Sequence, residues 1–417
     1  MGIDPNTSAT EQDALYGDHT RRSFSNTPTA RPLNEFPPMV TAYAQVKKAC
    51  ATANAELGTV DGEIAEAISA TTDEILSGLH ADQFPTALIV GGGGTTTNMN
   101  FNEVIANRAT QLLAGAVSVH PNDHVNKSQS SNDTFPTAMA IAVMLGAPEV
   151  VAAVERLIGA LRRKADEYEG VDHLGRTCLN DAVSMPISAT HRAQAHALER
   201  ILRDFEAAID ALGEVPLGGT AIGTGVGAPE GFSRVVVRHL AEHTGLPLRP
   251  ASDIYDAMSN SDPYTKVASE LRRISQVMYK LCADLRFLAS GPKGGINEVT
   301  LPKLQKGSSI MPGKVNPTIP EVVMAHMILV RGWSYAVDEA VDAGELEINV
   351  MAGVMLESIF NIFQSLRECA PLLADRCIDG LVWNTEVLRD KLETGFDASV
   401  HRALEVGYEQ SSSERGA

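Results

Sequence analysis

The segment between Val267 and Leu288 constrains the fold of this chain more than any other. Its apolar residues recur at alternating steps of four and three, which is the spacing of a helix that packs along its whole length against neighbouring helices. The apolar positions are Val267, Leu271, Ile274, Met278, Leu281, Leu285 and Leu288. Met278 fills part of the core in this interpretation and is not a ligand. The segment therefore predicts a long, closely packed helix.

The same spacing recurs elsewhere in the chain. It begins near Pro38 and continues to Ile75, and it returns between Val150 and Leu161, where Pro148 is expected to mark a helix break or a first turn. Two further stretches follow the pattern, namely Val322, Leu329, Trp333 and Val337, and then Ile359, Ile362, Leu366 and Leu372. Few strand patterns compete with these helices, so we predict an all-α fold.

Charge and cysteine content narrow the classes of function. Lys and Arg number 34 against 52 Asp and Glu, which gives a formal net charge of −18 over 417 residues. Nucleic acids and anionic membranes both require a positive protein surface, so neither is an expected partner. The five cysteines are an odd number without a C-x-x-C pair, which is typical of reduced thiols in a cytoplasm.

The sequence also predicts a soluble protein. The first residues, MGIDPNTSATEQD, lack a basic region followed by an apolar one, so we expect no secretory signal. The longest apolar run, from Ala138 to Ala147, is about half of the ~20 residues that a membrane span needs. We therefore expect a cytoplasmic protein.

Residues Gly307 to Glu321 read GSSIMPGKVNPTIPE, and we place the chemistry in this segment. Its two glycines and three prolines disfavour a long helix, which predicts a loop. The loop carries a cation, an amide and two hydroxyls, which belong to Lys314, Asn316, Ser308 and Ser309. Such a loop is able to close on a ligand, and a solvated connector is the alternative.

Two further polar segments precede predicted helices. Ser130, Ser131 and Asn132 stand in a row, so their side chains and the free N–H groups of a helix start could hold an anion. Thr95 follows four glycines, but no lysine stands at the P-loop position, so we do not expect nucleotide binding. Helix capping alone is the alternative for both segments.

The segment Gly307–Glu321 resembles the signature of the fumarase/aspartase superfamily, whose members eliminate a group from a succinyl skeleton and leave fumarate. The resemblance implies an all-α protein with a long central helical bundle over residues 136–386. A smaller, mostly helical N-terminal domain would occupy residues 1–135, and residues 387–417 would form a shortened C-terminal helical segment. The resemblance also implies a homotetramer whose active sites are shared between subunits.

The resemblance further implies a role for individual residues. Ser308 would act as the base, as an alkoxide formed when the loop closes over the substrate. The other implied catalytic residues are Lys314 and Asn316, the implied substrate-binding residues are Thr95, Ser130, Ser131, Asn132, Thr177 and Cys178, and Glu321 and Ser309 would support them. No cofactor or metal is expected, and His191 and His196 lie five residues apart instead of the four that place two ligands on one helix face.

Cys178 is the main departure from the family pattern. Relatives usually have His or Gln at this position of the segment GRTCLNDAVSMPISATHR, and Gln at Asn180. The pair that a His here forms with the Glu at position 321 in fumarase-like relatives is therefore lost. A small wall that enlarges the pocket around the leaving group is favoured over a nucleophile, for which no neighbouring base is evident. This hypothesis allows an N-substituted aspartate or a related succinate as substrate.

Three functions are left open by these patterns. The segments LPKLQKGSSIMPGK and AGELEINVM favour the aspartase-like branch, that is, a carbon–nitrogen lyase that forms fumarate from aspartate or an aspartate derivative. The segment HVNKSQSSNDTFPTAM is closer to fumarase, which makes a fumarate hydratase the alternative. Cys178 and the shortened tail suggest an inactive scaffold homologue, but Ser308, Lys314 and Asn316 are all retained.

Overall fold

The computed structural model describes residues 14–28, 30–393 and 396–415. The amino-terminal stretch without an expected secretory signal, MGIDPNTSATEQD, lies outside the described residues. Fourteen α-helices in the described residues are α1 (Asp18–Ser23), α2 (Pro37–Glu56), α3 (Gly62–Leu76), α4 (Thr95–Leu112), α5 (Ser131–Glu167), α6 (Ile187–Ala211), α7 (Phe232–Thr244), α8 (Ile254–Ser259), α9 (Asp262–Leu288), α10 (Thr318–Asp342), α11 (Ala352–Leu373), α12 (Thr385–Glu393), α13 (Asp397–Val406) and α14 (Tyr408–Arg415).

The β structure of the described residues is limited to three two-stranded sheets. The strands are β1 (Asp172–Thr177), β2 (Asn180–Pro186), β3 (Glu214–Val215), β4 (Arg249–Pro250), β5 (Val299–Thr300) and β6 (Val382–Trp383). β1 pairs with β2 and β5 with β6 in antiparallel fashion, and β3 pairs with β4 in parallel. The prediction of an all-α protein built on long helices is confirmed.

Helix α9 contains the whole segment from Val267 to Leu288. Val267, Ile274 and Met278 are fully buried, as the alternating four and three spacing predicts. Met278 lies in the core, in agreement with its predicted role as a packing residue.

Helix α5 corrects the prediction of a break at Pro148, because it continues through both Pro136 and Pro148. A proline inside a helix costs about 3 kcal/mol. Val150, Val154 and Leu157 are fully buried, and each such side chain contributes about 1.5–3 kcal/mol by leaving water. Packing of the apolar face therefore outweighs the lost backbone hydrogen bond.

Among the described residues, α5 is the one helix that is long and apolar enough to cross a membrane. However, 67% of its apolar stretch is buried inside the protein. This burial is typical of the core helix of a soluble protein.

Helix α10 confirms the predicted helix after the signature loop but buries a different face. Of the predicted apolar positions, Val337 is fully buried, whereas Val322 and Leu329 are exposed. Three other apolar residues of this helix are fully buried instead, namely Val323, Met327 and Val330. Apolar residues surround most of the circumference of this helix, so periodicity alone does not select the buried face.

The described residues fall into two compact units. The first unit consists of the described parts of Met1–Pro148, Asp204–Leu271 and Gly332–Phe363. A stack of aromatic rings lies in its core: the Phe101 ring centroid is 4.3 Å from that of Phe84 and 4.6 Å from that of Tyr43. This core holds the helices on which the first group of candidate site residues is placed.

The second unit consists of the described parts of Glu149–Arg203, Arg272–Arg331 and Gln364–Ala417. Its core includes the buried Trp383, whose indole N–H donates to Nε2 of His191 at 3.1 Å. Burial and then the charge of Lys164 lower the pKa of His191 to about 4. His191 is thus a packing residue, and His196 is exposed.

Candidate active site

Thr95 and Ser131 meet at the first residues of α4 and α5. Their hydroxyl oxygens are 3.1 Å apart. The helix starts approach closely because Gly94 precedes α4 with φ +82° and faces Phe135, where an added Cβ would lie 2.5 Å from the aromatic ring. Helix N-termini carry free N–H groups and partial positive charge, so this junction suits an anion without any formally charged side chain.

Asn132 connects the junction to the Gly-rich segment Leu217–Pro229. Its backbone N–H donates to Oγ of Ser130 at 3.2 Å, and its side-chain amide donates to the carbonyl of Ala221 at 2.8 Å. The structure therefore brings together Thr95, Ser130, Ser131 and Asn132, which were predicted as substrate-binding residues. The Gly-rich segment lies beside them and supports Asn132 through this hydrogen bond.

A buried ammonium group that the sequence analysis missed lies in the same unit. Lys47 is fully buried, and its Nζ donates to side-chain oxygens of Asn98, Gln129 and Asn126 at 2.7, 2.8 and 3.1 Å. Burial lowers the pKa of Lys47 to about 7. Lys47 is one of two lysines on α2, and its spacing matches that of the neighbouring apolar residues, so the sequence alone gives no signal of this kind.

The signature loop adopts no helix or strand between Leu301 and Pro317, and α10 begins at Thr318. The predicted loop is therefore confirmed. Its two ends are joined by hydrogen bonds from the Gly307 N–H to the Lys314 carbonyl at 3.0 Å and from the Asn316 amide to the Gly307 carbonyl at 2.8 Å.

Ser308 is the acceptor in a tight turn of this loop. Its Oγ receives the backbone N–H groups of Ile310 and Met311 at 3.2 and 3.1 Å. Hydrogen bonds to the charged form of a group stabilise that form. Two N–H donors on the Ser308 oxygen therefore make an alkoxide less unfavourable than it is at a serine without them.

The neighbouring candidate residues are accessible to solvent. Ser309, Lys314 and Glu321 are exposed in this chain. Glu321 lies 3.5 Å from the guanidinium of Arg286. This pairing gives the carboxylate a cationic partner within the second unit.

Thr177 and Cys178 lie at the tip of the β1–β2 hairpin, which the sequence analysis did not predict. Thr177 pairs with Asn180, so Cys178 and Leu179 form a two-residue turn with φ +54° and +62°. Such turns favour Asn and Gly, and a Cys-Leu turn lacks this signal. Left-handed backbone at two such residues is strained, and strain of this kind concentrates at functional sites.

A buried ion pair holds the base of this hairpin. The Arg176 guanidinium donates to both oxygens of Glu298, with Nη1 at 2.9 Å from Oε2, and Lys391 Nζ donates to Oε1 at 3.0 Å. Glu298 is fully buried. Although burial alone raises the pKa of Glu298, the hydrogen bonds from Arg176 and Lys391 bring that pKa below its usual value. The hairpin tip is thereby anchored within the second unit.

The candidate residues thus divide between the two units. One group, Thr95, Ser130, Ser131 and Asn132, belongs to the first unit. The other group belongs to the second unit and consists of Thr177, Cys178, Ser308, Ser309, Lys314, Asn316 and Glu321.

Comparison with known proteins assigns this chain to a family. A family model described as lyase matches residues 7–332. The aspartate ammonia-lyase of Escherichia coli (strain K12) is 42% identical over 381 residues, which are 90% of this chain and 80% of that protein. The chain belongs to the fumarase/aspartase superfamily. Within the superfamily it lies in the aspartase-like branch, and it is a lyase.

Further members of the superfamily agree with this assignment. The aspartate ammonia-lyase of Helicobacter pylori (strain J99) is 38% identical over 96% of this chain and 86% of that protein. The crystal structure of a fumarate lyase:delta crystallin from Brucella melitensis bound to cobalt has a TM-score of 0.93 and 37% identity, covering 97% of this chain and 89% of that chain. A class II fumarase from Schistosoma mansoni has a TM-score of 0.92 and 30% identity over the same shares. The chain therefore shares its fold with a fumarate lyase:delta crystallin and with a class II fumarase.

Proposed function

We propose that this protein is an aspartate ammonia-lyase, a carbon–nitrogen lyase that converts L-aspartate to fumarate and ammonium. The observation that carries the proposal is the turn at Ser308, a hydroxyl oxygen that accepts two backbone N–H groups within the superfamily signature. Relatives named aspartate ammonia-lyase at 38–42% identity over most of the chain support the choice of substrate.

Ser308 is the proposed base. Its alkoxide takes a proton from the carbon next to the β-carboxylate, and the electron pair of that bond moves onto the carboxylate as an enediolate. Collapse of the enediolate forms the carbon–carbon double bond and breaks the carbon–nitrogen bond, so that ammonia leaves. The proton on Ser308 then passes to the departing ammonia or to solvent, which gives fumarate and ammonium and restores the base.

Donors around the enediolate lower the barrier. A single preorganised donor aimed at developing negative charge contributes roughly 3–4 kcal/mol. We propose Lys314 and Asn316 in this role, together with the polar group Thr95, Ser130, Ser131 and Asn132. Because the chain carries a net charge of −18, the overall field repels a dicarboxylate, and such local donors must supply the recognition.

The remaining candidates have supporting roles in this proposal. Thr177 offers a hydroxyl to the substrate, and Cys178 is a small wall beside the leaving group. Ser309 and Glu321 support the signature loop. A wall as small as Cys178 allows an amine larger than ammonia to leave, so N-substituted aspartates belong in the same assay.

The proposal includes a cytoplasmic homotetramer with shared sites and the three domains 1–135, 136–386 and 387–417. Ile328, Leu329 and Tyr335 on α10 are 56%, 49% and 62% exposed, an apolar surface that suits a second copy of the chain. Leu329→Glu is expected to reduce the molar mass measured by light scattering. The same substitution at Leu79, which is 68% exposed outside α10, is the matched control and leaves the molar mass unchanged.

The direct test follows the ultraviolet absorbance of fumarate with L-aspartate, N-substituted aspartates or L-malate as substrate. Formation of fumarate from aspartate, with ammonium released in equal amount, is the expected result. Similarity to a class II fumarase structure makes malate the necessary comparison. Faster fumarate formation from malate than from aspartate would replace the proposal by a hydratase, and no fumarate from any substrate would favour a scaffold role.

A further inference from the structure

Asp133 is a buried carboxylate that the mechanism above does not use. It is fully buried at the third position of α5, directly after Asn132. Its Oδ1 accepts the backbone N–H of Ser130 at 2.9 Å, and its Oδ2 accepts those of Gly218 and Thr220 at 3.0 and 2.9 Å. One carboxylate therefore ties the polar segment Ser130–Asn132 to the Gly-rich segment.

The Gly-rich segment is held in a conformation that it would not adopt unaided. Thr220 is buried with φ +55°, a value at which a β-branched residue is strained. Gly218 has φ +96°, and an added Cβ would lie 2.6 Å from Cα of Ser233. Strained backbone persists only when its surroundings hold it, and the two hydrogen bonds to Asp133 are part of those surroundings.

We propose that Asp133 is a positioning residue for the substrate carboxylate: it fixes Ser130, Ser131 and Asn132 in the geometry that binds the carboxylate of the dicarboxylate. The proposal rests on the proposed function, because it assumes that these three residues bind substrate. Asn132 strengthens the connection, since its side-chain amide donates to the Ala221 carbonyl one residue after Thr220. Loss of the Asp133 bonds would release both segments together.

The charge of Asp133 is balanced locally. Three titratable side chains of α2 interact with its charge, namely those of Lys47, Tyr43 and Cys50. Burial raises the pKa of Asp133 to about 6, while the N–H donors and the Lys47 charge oppose that rise. Burial also raises the pKa values of Tyr43 and Cys50 far above neutral pH. Near and below neutral pH, the members of this group that change their charge are therefore Lys47 and Asp133. Protonation of Lys47 adds positive charge, which favours a bound anion, so a weakening of fumarate binding on acidification is assigned to Asp133.

The test is Asp133→Asn, which keeps the shape but turns an amide N–H toward at least one backbone donor. We expect the dissociation constant of fumarate, measured by calorimetry, and the KM for aspartate to rise about tenfold or more, because hydrogen bonds to a charged acceptor are lost. The kcat value should fall less than KM rises. A KM and a dissociation constant within about twofold of the parent would overturn the proposal.

Thr71→Val is the matched control, because it removes a buried hydrogen bond, from Thr71 Oγ1 to the Ala67 carbonyl at 2.9 Å, in the same unit. It should destabilise the protein while leaving the fumarate dissociation constant unchanged. If Asp133→Asn does not fold, the proposal is tested by measuring the dissociation constant of fumarate for the parent between about pH 6.5 and 5. Fumarate stays ionised over this range because an ordinary carboxyl titrates near pH 4. Weaker fumarate binding as Asp133 takes up a proton supports the proposal, and a fumarate affinity that stays constant over this range overturns it.

The outcomes separate this proposal from the proposed function. If the parent forms no fumarate from aspartate but binds fumarate in a manner that depends on Asp133, the proposed function fails and the positioning role stands. If the parent turns over aspartate and Asp133→Asn keeps the parental KM, the positioning role fails and the function stands.

Discussion

Glu298 offers the sharpest test of how the hairpin that carries Thr177 and Cys178 is held. Its fully buried carboxylate accepts three charge-assisted hydrogen bonds, two from Arg176 and one from Lys391. Removing one partner of a buried ion pair leaves an uncompensated charge and costs about 3–5 kcal/mol. Glu298→Gln should therefore lower the free energy of unfolding by about that amount, measured by urea titration followed by circular dichroism.

The matched control is an exposed ion pair of the same unit. Arg192 and Glu169 lie 2.7 Å apart with side chains that are 50% and 60% exposed, and such pairs contribute about 0–1 kcal/mol. Glu169→Gln should change the free energy of unfolding by no more than that. The reasoning about burial would be refuted if Glu298→Gln and Glu169→Gln lowered the free energy of unfolding by the same amount.

A double-mutant cycle isolates the pair itself. Arg176→Met removes the cation that Glu298→Gln leaves unpaired. The double variant should therefore lose less unfolding free energy than the two single variants lose together. Additivity within about 0.5 kcal/mol would show that the two side chains do not interact. Both single variants should also raise the KM for aspartate, because Arg176 immediately precedes Thr177.

Three further predictions concern the core and the site. His191 is neutral in the fold, because burial lowers its pKa to about 4. Its contribution to the free energy of unfolding is therefore fully present above about pH 6.5, and about 3 kcal/mol of it is lost as the pH drops to 4. The urea midpoint of His191→Gln should depend less on pH than that of the parent. Phe101→Ala empties a fully buried site between two stacked rings and should cost about 3–5 kcal/mol of unfolding free energy, with a loss under about 1 kcal/mol contradicting the packing argument. Cys178→Ala should keep kcat/KM within about twofold of the parent, whereas a loss beyond about tenfold would indicate a chemical role for the thiol.

Much of the fold could be predicted because helix periodicity is a local signal. The four and three spacing from Val267 to Leu285 lies on one buried face of α9, and Leu288 at its end is half-buried. The signature loop was equally predictable, because its glycines and prolines act on the backbone directly. Pro148 shows the limit of the same rule, since the burial of Val150 and Val154 on α5 overrides the local preference for a break.

Other features could not be predicted because they depend on residues that are distant in sequence. The turn at Cys178 and Leu179 lacks the usual turn residues, and its base is held by Glu298, over 100 positions away. Asp133 lies beside the predicted substrate segment, but its partners Gly218 and Thr220 become neighbours only in the fold. Lys47 is likewise recognisable only once Asn98 and Gln129 surround it.

The central claim is that the hydroxyl of Ser308 removes a proton from carbon to release ammonia. The most direct measurement compares fumarate formation from L-aspartate by Ser308→Ala with that by Ser309→Ala, the adjacent hydroxyl in the same exposed loop, while fumarate binding is measured by calorimetry in parallel. We predict that Ser308→Ala abolishes turnover with fumarate binding largely intact, and that Ser309→Ala retains most of the activity. Turnover by Ser308→Ala within about tenfold of the parent, roughly 1.4 kcal/mol in barrier height, would contradict the account and place the base elsewhere.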